Sequence, residues 1–457
     1  MTPPAEQDGF CTPADGYRGL WYGQTPLGRP YHWKYSGGLG TYPAQQGPQA
    51  VYAAAVDKTF FCWGGTPADA PHRHDSTARP IAPGALLQCV GVYDHATGRF
   101  GEPIVVFDKW CDDPHDNPVI QLDAGGHLWL FSPSHGHVTT PSFVHRTTRP
   151  HDVSRWQTVA ADMNFAYPQP HYDLRDPGRG FLLLHTSYAD GHRRLATTRS
   201  ADGRSWSPPQ LLAHAERGHY QLSHYDADRG TIWTTFDYHP PEGGLDRRSN
   251  LYVLRSDDWG GTWQTAGGED VATPVTSAAS PALVLDTAAD GLLCYQKSLI
   301  VDAAGRPMVL YSTSRGPEPG PDAGPHRWWL ARMTPGGWRQ HVITDSDHNY
   351  DYGTLRLGTT PDGGERIELI GATEPGPQPH AAGGRIAEWH SDDGGVTWRR
   401  DRVLTPASAE VNHNFPRRPL HGVPGFQAFW CDGHGYFASS SSLWFAGSTS
   451  PARRIGS

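Results

Sequence analysis

The stretch SDDWGGTW, residues 256–263, has the pattern of a tight turn between two strands. Asp and Gly favour the turn conformation, and the tryptophan that follows can pack beneath it. Two imperfect copies flank it, SADGRSW at residues 200–206 and SDDGGVTW at residues 391–398. The first copy begins 56 residues earlier (256 − 200), about the length of one four-stranded unit, and the second begins 135 residues later (391 − 256). Repeats at this period indicate a β-propeller.

Strand-turn-strand groups separated by Pro- and Gly-rich breaks recur along the whole chain. We expect the inner strands near residues 40–55, 118–130, 165–184, 219–236, 277–295, 352–371 and 415–430. The sequence therefore predicts an all-β, seven-bladed β-propeller that is a single domain over residues 1–457, with residues 1–15 as a flexible extension. The early aromatic strand YRGLWY, residues 17–22, is expected to complete the last blade. Closing the ring in this way leaves no long sheet edge unpaired.

Composition narrows the classes of function. The 457 residues carry a formal net charge of −9, which argues against a nucleic-acid-binding surface. No apolar run approaches the roughly 20 residues of a membrane span, and the first residues lack a basic and apolar leader. The six cysteines contain no CxxC pair and are expected to be buried, reduced thiols. The native compartment stays open, because a cytoplasmic protein and a secreted or periplasmic protein without its leader would look the same.

The stretch WCDDPHDNPVIQLDAGGHLWLFSPSHGH, residues 110–137, contains two apolar strands joined by an AGG turn. His115 precedes the first strand and His135 follows the second, so antiparallel pairing can bring both to the same sheet edge. Asp116 and Asn117 are placed to orient His115. Because imidazole titrates near neutral pH, we expect His115 and His135 to be a proton-transfer pair. The alternative is structural, since most of the 25 histidines must lie on the surface or at the core edge.

Polar and aromatic residues recur near the starts of the other predicted inner strands. A sugar needs paired donors and acceptors over aromatic faces, so this convergence suits carbohydrate binding. The predicted substrate contacts of this kind are Gln46, Asn117, Gln169, Tyr172, Tyr220, Tyr352 and His413. The alternative is that these side chains join neighbouring blades by hydrogen bonds.

Several motifs together resemble a known family. They are YRGLWY, KYSGGLGTYP, KTFFCWGGT, PHDNPVI, HLWLFSPSHG, PSFVHR, YPQPHY, LLLHTSY and RRSNLYVLRSDD. The combination is similar to the seven-bladed propellers with neuraminidase-type repeats that include ulvan lyases and rhamnose-glucuronate lyases. The resemblance implies β-elimination at an α-1,4 bond to O4 of a uronic acid, which gives an unsaturated uronate. It also implies that the two family histidines correspond to His115 and His135.

Elimination across C4 and C5 of glucuronate removes a weakly acidic proton beside a carboxylate, so the carboxylate charge must be neutralised. Arginine suits this task, since its planar fork binds a carboxylate bidentately. The candidates are Arg193 and Arg194, and Arg247 and Arg248. We expect Arg248 to be catalytic and Arg194 to bind substrate, with exposed loop arginines as the alternative. Tyr188, at the end of LLLHTSY, is the expected second proton-transfer group.

Two other functions stay open. Some relatives hydrolyse terminal rhamnose from glucuronate with a histidine shortly after SGGLGTY, but here that segment carries Gln45 and Gln46. An amide cannot accept and return a proton as an imidazole can, which counts against an α-L-rhamnosidase-type hydrolase. A non-catalytic carbohydrate-binding propeller would contain similar aromatic and amide residues.

The expected partner is an acidic polysaccharide or oligosaccharide that contains glucuronate and rhamnose. We expect a monomer that binds neither nucleic acid nor membrane. The chemistry requires no cofactor, and no metal is expected in the catalytic site. Structural calcium or zinc stays open, because residues 112–116 (DDPHD) and the pair His135 and His137 offer ligand types without a decisive spacing.

Overall fold

The computed structural model describes residues 11–26, 31, 33–38, 40–67, 86–111, 113–137, 141–189, 192–407 and 409–456. Within these residues the strands form seven antiparallel sheets. The predicted all-β class is confirmed. No helix in the described part of the chain is long and apolar enough to cross a membrane.

The first three sheets follow one another along the chain. Sheet 1 consists of Ala50–Ala53, Lys58–Gly65, Leu87–Asp94, Arg99–Phe100, Ile104–Asp108 and Thr12–Pro13. Sheet 2 consists of Val119–Leu122, Leu128–Ser132, Ser142–Arg149 and Asp152–Met163. Sheet 3 consists of Ala166–Tyr172, Phe181–Ala189, His192–Ser200 and Gln210–Ala213.

The remaining sheets continue in the same order. Sheet 4 consists of Gln221–Asp226, Thr231–Tyr238, Ser249–Ser256, Trp263–Thr265, Asp270–Val271 and Leu283–Leu285. Sheet 5 consists of Leu293–Val301, Pro307–Ser314, His326–Thr334 and Gly337–Ser346. Sheet 6 consists of Gly353–Thr359, Glu365–Glu374, Arg385–Ser391 and Arg399–Val403. Sheet 7 consists of Asn412–Arg417, Ala428–Gly433, Ser439–Ala446, Arg453–Arg454, Arg18–Pro26 and Trp33–Gly38.

Short 3-10 turns interrupt the loops. They are Pro114–Asp116, His135–His137, Pro177–Arg179, Gly244–Arg247 and Pro321–Ala323. Two of them carry the histidines of the predicted site, and Gly244–Arg247 directly precedes Arg248.

Apolar clusters lie between consecutive sheets. In strand Phe181–Ala189, Phe181 and Leu183 join the cluster shared with sheet 2, while Leu182 and Leu184 join the cluster shared with sheet 4. Successive side chains of a strand point to opposite faces, so a strand buried on both faces reads as a continuous apolar run. Each fully buried leucine contributes roughly 1.5–3 kcal/mol relative to an exposed one. Stacking of sheet on sheet is therefore the main source of stability.

The two ends of the chain meet in one sheet. Strand Arg18–Pro26 pairs antiparallel with Ser439–Ala446, and Trp21, Phe61 and Phe429 share a buried cluster between sheets 7 and 1. Thr12–Pro13, inside the segment predicted as a flexible extension, pairs with Ile104–Asp108. Residues 1–10 of that extension lie outside the described residues.

The aspartate-box turns join the third and fourth strands of sheets 3, 4 and 6. In the turn at residues 256–263, the Asp258 carboxylate accepts hydrogen bonds from the Ser256 hydroxyl and the Thr262 backbone N–H, both at 2.8 Å. The backbone N–H of Gly260 donates to the Ser256 hydroxyl at 2.8 Å, and Trp263 is buried beneath the turn. The same bonds recur in the other two copies.

The prediction of a first strand within residues 277–295 is wrong in placement. The first strand of sheet 5 is Leu293–Val301, and the apolar run Leu283–Leu285 instead pairs with Ser249–Ser256 of sheet 4. A three-residue apolar run fits either sheet, so the pattern alone could not assign it.

Candidate active site

Folding of one hairpin brings the two predicted histidines together. Val119–Leu122 pairs antiparallel with Leu128–Ser132, with His115 just before the first strand and His135 just after the second. The two rings are stacked, with centroids 4.1 Å apart and planes 19° apart. His115 and His135 therefore lie side by side, as expected from antiparallel pairing of the hairpin.

The residue that orients both rings is Asp113, which the sequence analysis did not single out. Its Oδ1 lies 2.5 Å from Nδ1 of His115 and its Oδ2 lies 2.8 Å from Nδ1 of His135. It also caps the turn Pro114–Asp116, because Oδ1 accepts the backbone N–H of His115 at 3.0 Å. An aspartate at the start of a Pro-containing turn was a signal for Asp113 as the turn cap, but it did not distinguish Asp113 from Asp116 as the partner of the imidazole.

The expectation that Asp116 and Asn117 orient the His115 ring is wrong. Asp116 accepts the backbone N–H of His135 at 2.6 Å and contacts the Cys111 thiol at 3.2 Å. Burial raises the pKa of Asp116 to about 6, although nearby Lys109 opposes this. Asn117 donates to the backbone carbonyl of Tyr42 at 2.7 Å. Both side chains hold the loop backbone and leave the imidazole to Asp113.

The bonds to Asp113 hold a proton on Nδ1 of each ring, so that Nε2 is the acceptor in the tautomer that they select. Nε2 of His115 lies 3.0 Å from the Tyr42 hydroxyl, and Nε2 of His135 lies 3.4 Å from the Tyr167 hydroxyl. Burial, with a smaller contribution from His135, lowers the pKa of His115 to about 4. The His135 side chain is 27% exposed against 6% for His115, so His135 is the ring that a substrate can reach.

Two arginines and several tyrosines continue the site beyond the histidines. The guanidinium carbons of Arg193 and Arg248 lie 4.4 Å and 4.5 Å from the ring centre of Tyr220. Nε of Arg193 donates to the Tyr188 hydroxyl at 3.3 Å, and the Tyr188 ring lies 5.8 Å from that of His135. Tyr220 thus lies between two cations, and Tyr188 connects Arg193 to the histidine pair.

Burial and the nearby cations act in opposite directions on the pKa values of these tyrosines, and the balance differs between Tyr220 and Tyr188. Burial alone would raise the pKa of Tyr220, but Arg193 and Arg248 outweigh it, so the pKa lies below the usual value. For Tyr188 burial dominates and the pKa is raised. Tyr188 therefore keeps its proton at neutral pH, and Tyr220 loses its proton more readily than Tyr188 does.

Neither buried arginine forms an ion pair among the described residues, although the charge of Arg248 adds to the effect of His239 in lowering the pKa of buried Asp237. Arg248 donates to the Tyr350 hydroxyl at 2.7 Å, but its Nε has no hydrogen-bond partner there, and the same holds for Nη1 of Arg193. A buried guanidinium with unused donors is costly unless it binds an anion or water. The arrangement is suited to a carboxylate.

The structure brings together five predicted site residues and places the other seven elsewhere. The five are His115, His135, Tyr188, Tyr220 and Arg248. Arg194 does not join them, because successive side chains of strand His192–Ser200 alternate and Arg193 occupies the inward face. Arg247 is exposed in the turn before Arg248.

Four of the side chains predicted to contact substrate instead make hydrogen bonds inside the fold. Gln46 donates to the backbone carbonyl of Asn117 at 2.8 Å, and Gln169 donates to those of Gln45 and Gln221 at 3.1 Å and 3.0 Å. His413 is fully buried and accepts the Trp430 indole N–H at 3.1 Å. These bonds favour the structural alternative for Gln46, Asn117, Gln169 and His413.

The remaining two aromatic candidates, Tyr172 and Tyr352, line a cavity of about 220 Å³ together with Gln46 and Gln169. Tyr352 accepts a hydrogen bond from Gln45 at 2.9 Å. Tyr172 lies at the end of its strand rather than the start, which separates it from the histidine pair by the length of Ala166–Tyr172.

Within the described part of the chain, one group of three side chains could offer ligands to a metal ion. It consists of Asp113, His115 and His135, whose potential ligand atoms lie within 4.8 Å of one another. The distances of 2.5 Å and 2.8 Å from the carboxylate to the two Nδ1 atoms are those of hydrogen bonds. A metal ion would need these atoms to separate around it. Asp112 and the side chain of His137 lie outside the described part of the structure.

Comparison with known proteins assigns the family. The sequence profile described as BNR repeat-containing family member matches residues 88–346, more than half of the chain. The chain belongs to the BNR repeat-containing family. The predicted family resemblance is thereby confirmed, and no curated protein matches this BNR repeat-containing chain.

Solved structures with a similar fold include polysaccharide lyases. An ulvan lyase of a new polysaccharide lyase family matches with a TM-score of 0.68 and 16% identity over 97% of this chain and 98% of that chain. An ulvan lyase of that family bound to -[GlcA(1-4)Rha3S]- matches with a TM-score of 0.69 and 15% identity over the same shares. A further polysaccharide lyase matches with a TM-score of 0.60 and 14% identity over 97% and 99% of the two chains. At these identities the similarity shows a common propeller fold.

Proposed function

We propose that the protein is a polysaccharide lyase that cleaves a rhamnose-α-1,4-glucuronate linkage by β-elimination and leaves an unsaturated uronate. One observation carries the proposal. Among the described residues, two buried arginines that form no ion pair with a carboxylate lie beside a histidine pair oriented by Asp113. Together these groups match the needs of elimination beside a carboxylate: charge neutralisation, a base and an acid.

The roles follow from access and protonation. Arg193 and Arg248 neutralise the charge of the uronate carboxylate, and so stabilise the enolate that forms when the C5 proton leaves. His135 accepts that proton on Nε2, because it is the more exposed ring and Asp113 holds its Nδ1 proton. Tyr188 donates a proton to the departing O4. Its raised pKa keeps the hydroxyl protonated at neutral pH, and Arg193, which donates to that hydroxyl, stabilises the phenolate that forms. This scheme uses no metal and no cofactor.

His115 supports His135 from behind. It shares Asp113 and stacks on the His135 ring at 4.1 Å, and its lowered pKa keeps it neutral at pH 7. A second positive charge at that distance would disfavour the imidazolium that forms on His135. His115 therefore positions and tunes the base without reaching the substrate.

The substrate assignment has separate support. A structure of similar fold holds a glucuronate-(1-4)-rhamnose 3-sulfate ligand. Here the two arginines offer binding to a uronate, and the tyrosine faces offer stacking to a sugar ring. Gln45 and Gln46 are engaged in hydrogen bonds to Tyr352 and Asn117, which leaves them poor candidates for the proton transfers of a rhamnosidase.

The architecture completes the proposal: a single-domain, monomeric, seven-bladed propeller in which each sheet is one blade. Support for a closed ring comes from the pairing of Arg18–Pro26 with Ser439–Ala446 and from the bridge between Val51 and Leu420. Apolar clusters between every consecutive pair of sheets, including sheets 7 and 1, point the same way.

A paired digestion tests the proposal. Ulvan and ulvan with its uronate carboxyls reduced to alcohols are incubated with the protein, and ultraviolet absorbance of the unsaturated uronate is followed. We expect product from native ulvan and none from the reduced polymer, since the reduced polymer has no carboxylate for Arg193 and Arg248. Absorbance that rises equally with both polymers, or with neither of them and with no other rhamnosyl-glucuronate polymer, would overturn the proposal.

A further inference from the structure

A second cationic region lies in the cavity of about 220 Å³ that Tyr172 and Tyr352 line. A layer of glutamine side chains, including Gln46 and Gln169, forms part of its wall. Lys297, Arg417 and Arg418 contribute to the lining, whereas none of the described residues that line the cavity is Asp or Glu. A water molecule occupies about 30 Å³ in the liquid, so the space can hold several waters or a small ion with its waters.

Arg418 is the cation in this cavity whose donors are unused. Its side chain is 8% exposed, and Nε, Nη1 and Nη2 all lack a hydrogen-bond partner among the described residues. The nearest carboxylate is Glu368, 3.8 Å from Nη2. That carboxylate is already bound by Arg356, whose Nε donates to it at 2.9 Å.

The adjacent residue, Arg417, has a buried guanidinium whose donors are used in hydrogen bonds. Arg417 donates from Nε to the backbone carbonyl of Thr41 at 3.0 Å and from Nη1 to those of Ala44 and Gln46, each at 3.2 Å. Its charge is committed to holding the loop before sheet 1. Arg418 has no such set of carbonyls, so its burial needs another explanation.

We propose that the cavity binds a small inorganic oxyanion of the sulfate or phosphate class against Arg418. A buried guanidinium whose hydrogen bonds are not made destabilises the fold unless an anion or water completes them. Its planar fork matches the oxygen spacing of a tetrahedral oxyanion better than it matches a halide. The positive charge of Arg417 and the absence of acidic side chains from the described lining add to the attraction.

The histidines of the lining fit an anion site as neutral hydrogen-bonding groups. Burial lowers the pKa of His171 to about 3 and that of His224 to about 4, so neither adds charge at neutral pH. Exposed His421 and half-buried Tyr225 lie at the edge of the cavity, where an ion could enter. The site is separate from the histidine pair and does not depend on the proposed elimination.

Thermal unfolding in sodium sulfate and in sodium chloride at matched ionic strength tests the site. We expect a saturable rise of the Tm of the wild-type protein with sulfate beyond that with chloride, since a ligand of the native state alone stabilises it. Arg418→Gln should lose this rise. Arg175→Gln is the matched control, because Arg175 is 56% exposed and pairs with Asp228, and it should keep the rise. An equal sulfate effect in wild type and Arg418→Gln would overturn the proposal.

A second measurement decides the matter if Arg418→Gln does not fold. Crystals of the wild-type protein soaked in sodium selenate are measured at the selenium edge. An anomalous peak within hydrogen-bonding distance of Arg418 supports the site. Density for water alone around Arg418, with no selenium peak in the cavity, contradicts it.

Discussion

The histidine pair and the cavity beside Arg418 are two cationic regions that differ in the functional groups around their arginines. Each contains buried arginines whose donors are not fully used, Arg193 and Arg248 in the first and Arg418 in the second. In the first region an aspartate orients two imidazoles, and tyrosines of raised and lowered pKa lie within reach. In the second region burial keeps His171 and His224 neutral, and among the described residues neither is hydrogen-bonded to a carboxylate. Buried cations alone predict anion binding, whereas catalysis also needs oriented groups that exchange protons.

The largest effect should come from removing the base. His135→Ala should lower the rate of uronate elimination by about a hundredfold or more, because it removes general base catalysis. His115→Ala should cause a loss of similar size by releasing Asp113 and the stacked ring. His192→Ala, at an exposed position of sheet 3, is the control and should retain wild-type turnover.

Circular dichroism and thermal unfolding of the same variants separate chemistry from folding. Both histidine variants should remain folded, since neither ring belongs to an apolar cluster. Variants that fold and keep full elimination activity would move the chemistry away from this region, and variants that unfold would make the pair structural.

The next effect concerns how the first region binds its anion. Arg193→Lys and Arg248→Lys should each lower kcat/KM for elimination by more than about tenfold, because lysine keeps the charge but loses the planar fork. Arg247→Lys, exposed in the preceding turn, should stay within about twofold of wild type. Wild-type kinetics in both buried variants would remove these two arginines from the site.

A smaller effect is expected at Tyr172, which the sequence predicted to contact substrate and which lines the cavity in the structure. Tyr172→Phe removes a single hydroxyl from the cavity and should change kcat/KM by less than about twofold. Steady-state kinetics on ulvan measure this. A loss of tenfold or more would mean that substrate reaches the cavity, and the two regions would then act as one binding site.

The smallest effect is on the pH dependence of stability. Burial lowers the pKa of His413 to about 3, below the value of about 6.5 for an unfolded histidine. The folded protein then binds fewer protons than the unfolded chain, so stability is full above about pH 6.5 and falls as the pH is lowered towards 3. Urea unfolding between about pH 7 and 5 should show a slope that His413→Gln reduces by up to about 1.4 kcal/mol per pH unit. An unchanged slope would show that folding does not lower the pKa of His413.

Much of the fold could be predicted because its signals are local. The aspartate-box turns fix their own hydrogen bonds within eight residues, and strands such as Phe181–Ala189 show burial on both faces as an unbroken apolar run. The sheet that receives a short run could not be predicted, as Leu283–Leu285 shows, because that choice depends on contacts distant in sequence.

The histidine pair could be predicted for the same reason, since one hairpin sets its geometry. The partner residues could not. Asp113 and Asp116 are both near His115 in sequence, and the geometry of the turn alone decides which carboxylate meets the imidazole. Arg193 and Arg194 differ only in the strand face on which they lie, and that face depends on the pairing register. His413 is a residue type that is common in active sites, but here it is buried in the core and bonded to Trp430. The sequence does not distinguish these two situations.

Mass spectrometry of the oligosaccharides released from ulvan tests the central claim most directly. Elimination and hydrolysis break the same chain but differ by one water in the product, and only elimination leaves a double bond between C4 and C5. We predict that the wild-type protein releases oligosaccharides with a non-reducing end one water lighter than the hydrolysis product, and that His135→Ala releases almost none. Saturated products together with free rhamnose from the wild-type protein would contradict the lyase assignment, whatever the variants do.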